Sequence, residues 1–400
     1  MRVLYVNHTG HVSGAERSLL TLMEALPPDY APMLVCPNGA LARAGRKLGV
    51  PVEIIVGTDA SLRFHPLHTT RALYDAATTS RQLARLSREL EPDLVHANSI
   101  RTGLIAAGAA ARTRVPTIAH VHDRLPGGRV ATLMLKSMVS GVDGLLACSS
   151  YAAEPLWALN PRKPVKVVHN PVDVDRFCPS VLSRRTARER LGLDETTPVL
   201  ATVAQIIPWK AQDDAIRILA ELKREWPDAC LLLVGSPKFT SRAARYDSEA
   251  YASELDRLVS SLGVQDQVRF LGERDDVPEV LRAADILLVP SWAEPFGMCM
   301  IEAMAMELPV LATEVGGPKE VVTDGRDGLL LPPQAPAAWA AAASRLLRDR
   351  EYRTAIGRAA RARVVEQMNV PAYVERVLAG YAESLGHGGR RSDRRRPVLV

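Results

Sequence analysis

Short apolar runs rich in Val, Ile and Leu alternate along the chain with longer stretches whose apolar residues recur every three to four positions. In the first half these runs predict strands over 2–7, 32–36, 52–56, 93–97, 116–121, 143–148 and 165–168. Helical spacing fills the gaps, as where Leu83, Leu86 and Leu90 share one face of the stretch 70–90. Strands that are apolar throughout and alternate with helices predict a parallel sheet covered on both faces.

The pattern lapses from Asn170 to Pro198, where Pro171, Pro179 and Pro198 flank a basic cluster over 184–190, and a linker and hinge is expected there. A second alternation then predicts strands over 199–205, 229–235, 267–271, 285–289, 309–313 and 328–331. The expected fold is α/β, with two Rossmann-like parallel-sheet domains, 1–175 and 176–365, facing a cleft. After residue 332 the chain is Ala-rich and helical, over 337–347, 351–366 and 370–385. The stretch 386–400, with five arginines and no periodicity, is expected to be a disordered basic tail.

With 400 residues there is chain enough for two cores, and 47% hydrophobic with 24% charged residues is ordinary globular composition. The 26 glycines and 28 prolines are scattered, which excludes collagen-like architecture. No run of 18 apolar residues occurs and the N-terminus turns polar after Val6, so neither a spanning helix nor a signal peptide is expected. Five cysteines far apart, without CxxC, argue against a disulfide framework or zinc cage and fit a reducing cytoplasm.

Net charge is +5, and it is unevenly spread. Residues 1–175 carry 19 basic and 14 acidic side chains, against 26 and 30 over 176–385. Solvated arginines are the plain reading of the basic half; an anionic acceptor or a membrane surface is the alternative. Arg71, Arg81, Arg85 and Arg88, with Leu133, Met134, Leu135 and Met138 as an apolar surface candidate, raise the same question of peripheral association at the inner face of a membrane. No nucleic-acid partner is expected.

The densest chemistry lies in Pro290-Ser291-Trp292-Ala293-Glu294-Pro295-Phe296-Gly297-Met298-Cys299-Met300-Ile301-Glu302. Here a buried strand gives way to a Pro/Gly loop and a helix opening near Gly297 or Met298, where open α/β sheets bind ligands and where first-turn N–H groups attract anions. Glu294 in the loop and Glu302 in the helix are spaced to bracket one ligand rather than to pair, and carboxylates accept from vicinal hydroxyls. Lys210 follows another strand, at the opening of the expected cleft, as a point charge for a diphosphate. Ser13-Gly14-Ala15-Glu16 reads as a capping box whose glycine allows close approach of a ligand. His120 and His122 share one face of a strand; no third ligand stands near them in sequence, so a metal is not expected.

These segments together resemble the retaining glycosyltransferases of family 4. SGAERSLL, VHD, HNPVD, PWKAQD, FLG, EPFG with its downstream Glu302, and TEVGGPKEVV with DGRDGLL occur in that family's order, over nearly the whole chain to about residue 385. The resemblance implies the two-domain GT-B architecture, a last helix (366–385) crossing back to the first domain, and a UDP- or GDP-sugar co-substrate without cofactor or metal. It implies catalytic roles for His122, Lys210 and Glu294. Donor contacts are implied for Gly14, Gln205, Lys210, Leu271, Glu294, Phe296, Gly297, Met298 and Glu302, with Glu302 on the ribose and Glu294 on the sugar. Gly316 and Gly317 are offered as further backbone contacts.

The chain departs from the family at Gln205, where arginine is usual; glutamine donates a hydrogen bond to phosphate but carries no charge. The stretch 237–247 is longer than the family's usual loop. The expected activity is sugar transfer to an acceptor hydroxyl, that of a sugar, a lipid-linked glycan or a small molecule, in glycan, cell-envelope or glycosylated-metabolite biosynthesis. A nucleotide-sugar epimerase or hydrolase on the same fold and a non-catalytic binding protein are the rivals. A dinucleotide oxidoreductase is disfavoured because no G-x-G-x-x-G follows the first strand.

Overall fold

The computed structural model describes residues 1–57, 66–125, 127–238 and 246–392, the side chains of 66–73 and 387–392 excepted. The Arg71 side chain, most of the stretch 237–247 and residues 393–400 lie outside the described residues. The chain divides into two compact units, Met1–Pro171 together with the segment from Val370 onward, and Val172–Asn369.

The first unit holds β1 (Arg2–Val6), β2 (Ala31–Cys36), β3 (Val52–Ile54), β4 (Leu94–Ala97), β5 (Thr117–Val121), β6 (Gly144–Ala147) and β7 (Val165–Val167). They form one parallel sheet in the order β3-β2-β1-β4-β5-β6-β7, with Tyr5 of β1 in register with Leu34 and His96. The second unit holds β8 (Val199–Val203), β9 (Cys230–Val234), β10 (Val268–Gly272), β11 (Ile286–Val289), β12 (Val310–Thr313) and β13 (Leu329–Leu331), in the order β10-β9-β8-β11-β12-β13. Every one of these strands overlaps a run read from the sequence, and no end differs by more than two residues. The expected α/β class of two Rossmann-like sheets is what forms.

Successive strand residues point to opposite faces, and each face has its own helices. In the first unit Val3, Tyr5, Ile118 and Leu146 pack with Leu19 and Leu22 on one side, while Leu4, Val6 and Val95 pack with Leu83, Leu86 and Ile105 on the other. Tyr373, Val377 and Tyr381 of the last helix belong to the former core. That helix runs on to Ser392, through the first residues of the stretch expected to be tail. In the second unit Leu200, Leu231, Leu233, Ile286, Leu288 and Leu311 pack with Ile216, Leu219, Trp339 and Leu346. In both sheets the order reverses direction once, between β1 and β4 and between β8 and β11, and the crevice at such a point is where these sheets take ligands.

Two expectations change. The stretch read as a linker contains a helix, Arg184–Arg190, capped by Ser183 and docked on the second unit. Its Arg188 is only 1% exposed: the guanidinium pairs with Asp285 at 2.9 Å and donates to the carbonyls of Ala283, Asp194 and Glu195. A basic run looks solvated in sequence, but Asp285 at the foot of β11 supplies the counter-charge that permits burial. The apolar surface candidate over 133–138 is divided by helical periodicity: Leu135 and Met138 are buried, and Leu133 stands 67% exposed.

Candidate functional site

In the second unit the loops after β8, β11 and β12 meet at the switch point. Val203 ends β8, a 3₁₀ turn covers Pro208–Lys210, and Ala211 takes a left-handed conformation (φ 54°) before the helix Gln212–Leu222. The Gln212 side chain ties the loop back by donating to the Gln205 carbonyl at 2.8 Å. The Trp292 N–H donates to the Trp209 carbonyl at 2.9 Å, joining the β8 and β11 loops.

The β11 and β12 loops run side by side through Glu294, whose N–H donates to Val315 O (3.1 Å) and whose carbonyl accepts from the Gly317 N–H (2.8 Å). A Cβ on Gly316 would fall 2.3 Å from the Glu294 carbonyl oxygen, at a backbone φ of 97° that favours glycine. These glycines therefore have a structural duty, the seating of the Glu294 loop, besides the ligand contact read for them.

The Glu294 carboxylate is buried, accepts from the Ser291 hydroxyl at 3.1 Å and lies 2.5 Å from Lys210 Nζ. The same ammonium sits 4.2 Å from the Trp209 ring centroid, within cation–π range. Glu294's partner is Lys210, a pairing that sequence spacing did not predict. Burying this charge pair is supportable because a hydroxyl and an aromatic face complete its solvation.

Gly297, in a left-handed conformation, starts the helix Met298–Ala305 that carries the buried Glu302. Burial pushes the Cys299 thiol up to about 12, and Lys210, Glu294 and Glu302 are the charges acting on it. The four residues therefore share one neighbourhood. Phe296 is buried and Met298 half-buried at the start of this helix, and Leu271 lies next to the last residue of β10 at the sheet edge, two strands from β8. Gln205 has its Nε2 buried without a hydrogen-bond partner. Ser291, Trp209 and Cys299 went unread as site residues, although the first and last stand inside the motif already singled out. Asp276, just before the helix Val277–Ala283, makes no side-chain cap bond and pairs with Arg274 (Nε to Oδ1, 2.7 Å), which holds its carboxyl below the usual range.

The first unit has its own polar cluster at its switch point. Gly14 opens the helix Gly14–Glu24, and the Glu16 carboxylate reaches back to accept the Ser13 N–H at 3.0 Å. Glu16 also accepts from Asn7 Nδ2 at 3.1 Å, and Asn98 Nδ2 donates to Asn7 Oδ1 and to the Ala15 carbonyl, each at 3.3 Å. His122 Nε2 lies 3.1 Å from Asn98 Oδ1. The structure thus joins His122 to the Ser13–Glu16 segment through Asn7 and Asn98, two residues that sequence reading missed. Both follow strands that flank the switch point, which is the signal that could have marked them.

Burial lowers His122 to about 4, with Asn170 beside it acting in the opposite sense. The His120 ring lies 4.1 Å from that of His122, as the shared strand face predicts. A third ring, His96, approaches His120 from β4 at 5.4 Å, but its Nδ1 is bonded to the Tyr381 hydroxyl at 2.7 Å. Among the described residues no three His, Cys, Asp or Glu side chains are grouped to hold a metal ion.

Comparison with known proteins agrees with this layout. Residues 12–176 match the family model described as Glycosyltransferase Family 4, and residues 183–363 that described as Glycosyl transferases group 1. A D-inositol 3-phosphate glycosyltransferase of Salinispora tropica is 32% identical over 328 residues, 75% of this chain and 66% of the relative. One of Mycolicibacterium vanbaalenii is 34% identical over 266 residues, 62% of this chain and 58% of the relative. The matches thus span about three-fifths to two-thirds of these relatives' own length. Among solved structures, Anabaena HepE in complex with UDP-glucose superposes with a TM-score of 0.81 at 24% identity, covering 96% of this chain and 99% of that one.

Proposed function

Because the chain belongs to the group 1 glycosyltransferases of family 4 and has their GT-B fold, we propose that it transfers a sugar, with retention of configuration, from a nucleotide diphosphate donor to an acceptor hydroxyl. The observation that carries this reading is the Lys210–Glu294 pair, seated at the β8/β11 switch point with Glu302 close by. A lysine and two carboxylates so placed match the three parts of a nucleotide-sugar: a diphosphate anion, a hexose and a ribose.

In the proposed reaction Lys210 turns from Glu294 to the diphosphate and stabilises the charge that grows on it as the glycosidic bond breaks. Glu294, released, accepts from hydroxyls of the transferred sugar; Glu302 accepts from the ribose. Gln205, with its buried unbonded amide, donates to a phosphate oxygen where relatives use arginine. The acceptor attacks from the face the diphosphate leaves, and its proton passes to the leaving phosphate. Lys210 supplies the cation for this step, so no metal is required.

Binding of UDP to the Anabaena protein makes UDP-sugars the first donors to try, and the name of the curated relatives makes D-inositol 3-phosphate the first acceptor. The test is calorimetric titration with UDP, GDP, ADP and TDP, on the natural chain and on Lys210→Ala and Glu302→Ala. Selective binding of one nucleotide, lost in both variants, is expected. Indifference to all four nucleotides would replace this reading with that of a non-catalytic relative.

A further inference from the structure

The hydrogen bonds around His122 have a direction, and it is set three residues away. The Glu16 carboxylate can only accept, and so can the Thr9 carbonyl; Asn7 Nδ2 donates to both, at 3.1 and 2.9 Å. That orientation leaves Asn7 Oδ1 facing Asn98, which must answer with its own Nδ2, and the Ala15 carbonyl on the same amide demands a donor too. Asn98 Oδ1 is then the atom turned to His122 Nε2, and an amide oxygen accepts only a protonated nitrogen. Reversing any one amide would set acceptor against acceptor at two contacts.

The other ring nitrogen is bare. His122 is 6% exposed, and its Nδ1 has no hydrogen-bond partner. Asn170, 4% exposed and close enough to influence the ionisation of the ring, leaves its Oδ1 equally unbonded. A buried acceptor without a donor is costly, and a hydroxyl or water donor would relieve the cost.

We propose that Glu16, Asn7 and Asn98 form a relay that fixes His122 as its Nε2-protonated tautomer, so that Nδ1, with Asn170 Oδ1, accepts a hydroxyl of the ligand. Asn98 and Asn7 are then positioning residues, acting through His122 on whatever it touches. Glu16 joins them from the capping segment, which gives Ser13–Glu16 a second role besides starting a helix. The proposal rests on the reading of His122 as a ligand contact, but its central claim, the tautomer, is measurable without any ligand or activity.

The experiment is long-range proton–nitrogen correlation on the full chain labelled at histidine, at pH 7.5, with the His122 resonances identified by their loss in His122→Gln. The natural chain should show a protonated Nε2 and a pyridine-like Nδ1. Asn98→Leu and Asn7→Leu, with folding checked by circular dichroism, should give mixed tautomers. A protonated Nδ1 in the natural chain overturns the proposal, and so does an unchanged pattern in a folded Asn98→Leu. Failure of nucleotide binding would count against the transferase reading and leave this measurement standing.

Discussion

Lys210 and Glu294, 84 residues apart in sequence, meet as a buried ion pair with Nζ 2.5 Å from Oε2. Each residue satisfies the other's charge, and each is assigned to a different part of the proposed donor. On the proposed reading, donor binding exchanges one buried ion pair for two sets of ligand contacts.

Removing one partner should be worse than removing both. Lys210→Ala leaves a buried carboxylate unpaired and is expected to cost about 3 kcal/mol of stability, whereas Lys210→Met with Glu294→Gln should cost clearly less. Urea denaturation of the two variants beside the natural chain checks the order; equal losses would show that the pair is not coupled. Both should lose at least ~10-fold in nucleotide affinity, about 1.4 kcal/mol.

Gly316→Ala should disturb the Glu294 loop, because the added methyl meets the Glu294 carbonyl oxygen and the backbone φ is 97°. The strain of a left-handed conformation alone is about 1–2 kcal/mol. A lowered melting temperature with weakened nucleotide binding is expected, while Gly263→Ala, also at positive φ but with open space around it, should lower the melting temperature and leave binding intact.

Acid should destabilise the first unit through its buried histidines. Burial holds His8 and His96 at about 3 and His122 at about 4, below their ordinary value of 6.5. Between 6.5 and those values the unfolded chain binds protons that the folded chain refuses, so stability falls as pH falls, by up to about 1.4 kcal/mol per unit for each histidine. Denaturation at pH 7.5, 6.5 and 5.5 should show that slope, and His96→Gln should lessen it; a flat profile would contradict the burial argument.

The last helix should be indispensable to the first unit. Tyr373, Val377 and Tyr381 are fully buried in its core, and Tyr381 bonds to both His96 and Tyr5. A chain ending at residue 369 loses these large side chains, each worth about 2 kcal/mol or more of burial, and should expose apolar surface that binds a hydrophobic dye. A chain ending at residue 385 should melt as the natural one does.

Local pattern was enough to place every described strand within two residues and to single out Lys210, Glu294, Glu302, Gly14 and His122 as candidates, because strand and helix periods, turn residues and an ordered set of motifs are all written over short stretches of chain. It was also enough to draw Ser13–Glu16 as a helix start. What it left out depends on strand order. Glu294 finds Lys210 only because β11 lies next to β8, and His122 finds Asn98 only because β5 lies next to β4. Arg188 could be buried only because Asp285 waits at the foot of β11, and Leu133 parted from Leu135 and Met138 only when one helix face turned to the core. Burial periodicity repeats within a few residues and survives in the sequence; the pairing of charges, and the direction of a chain of hydrogen bonds, exists only after distant strands have been set side by side.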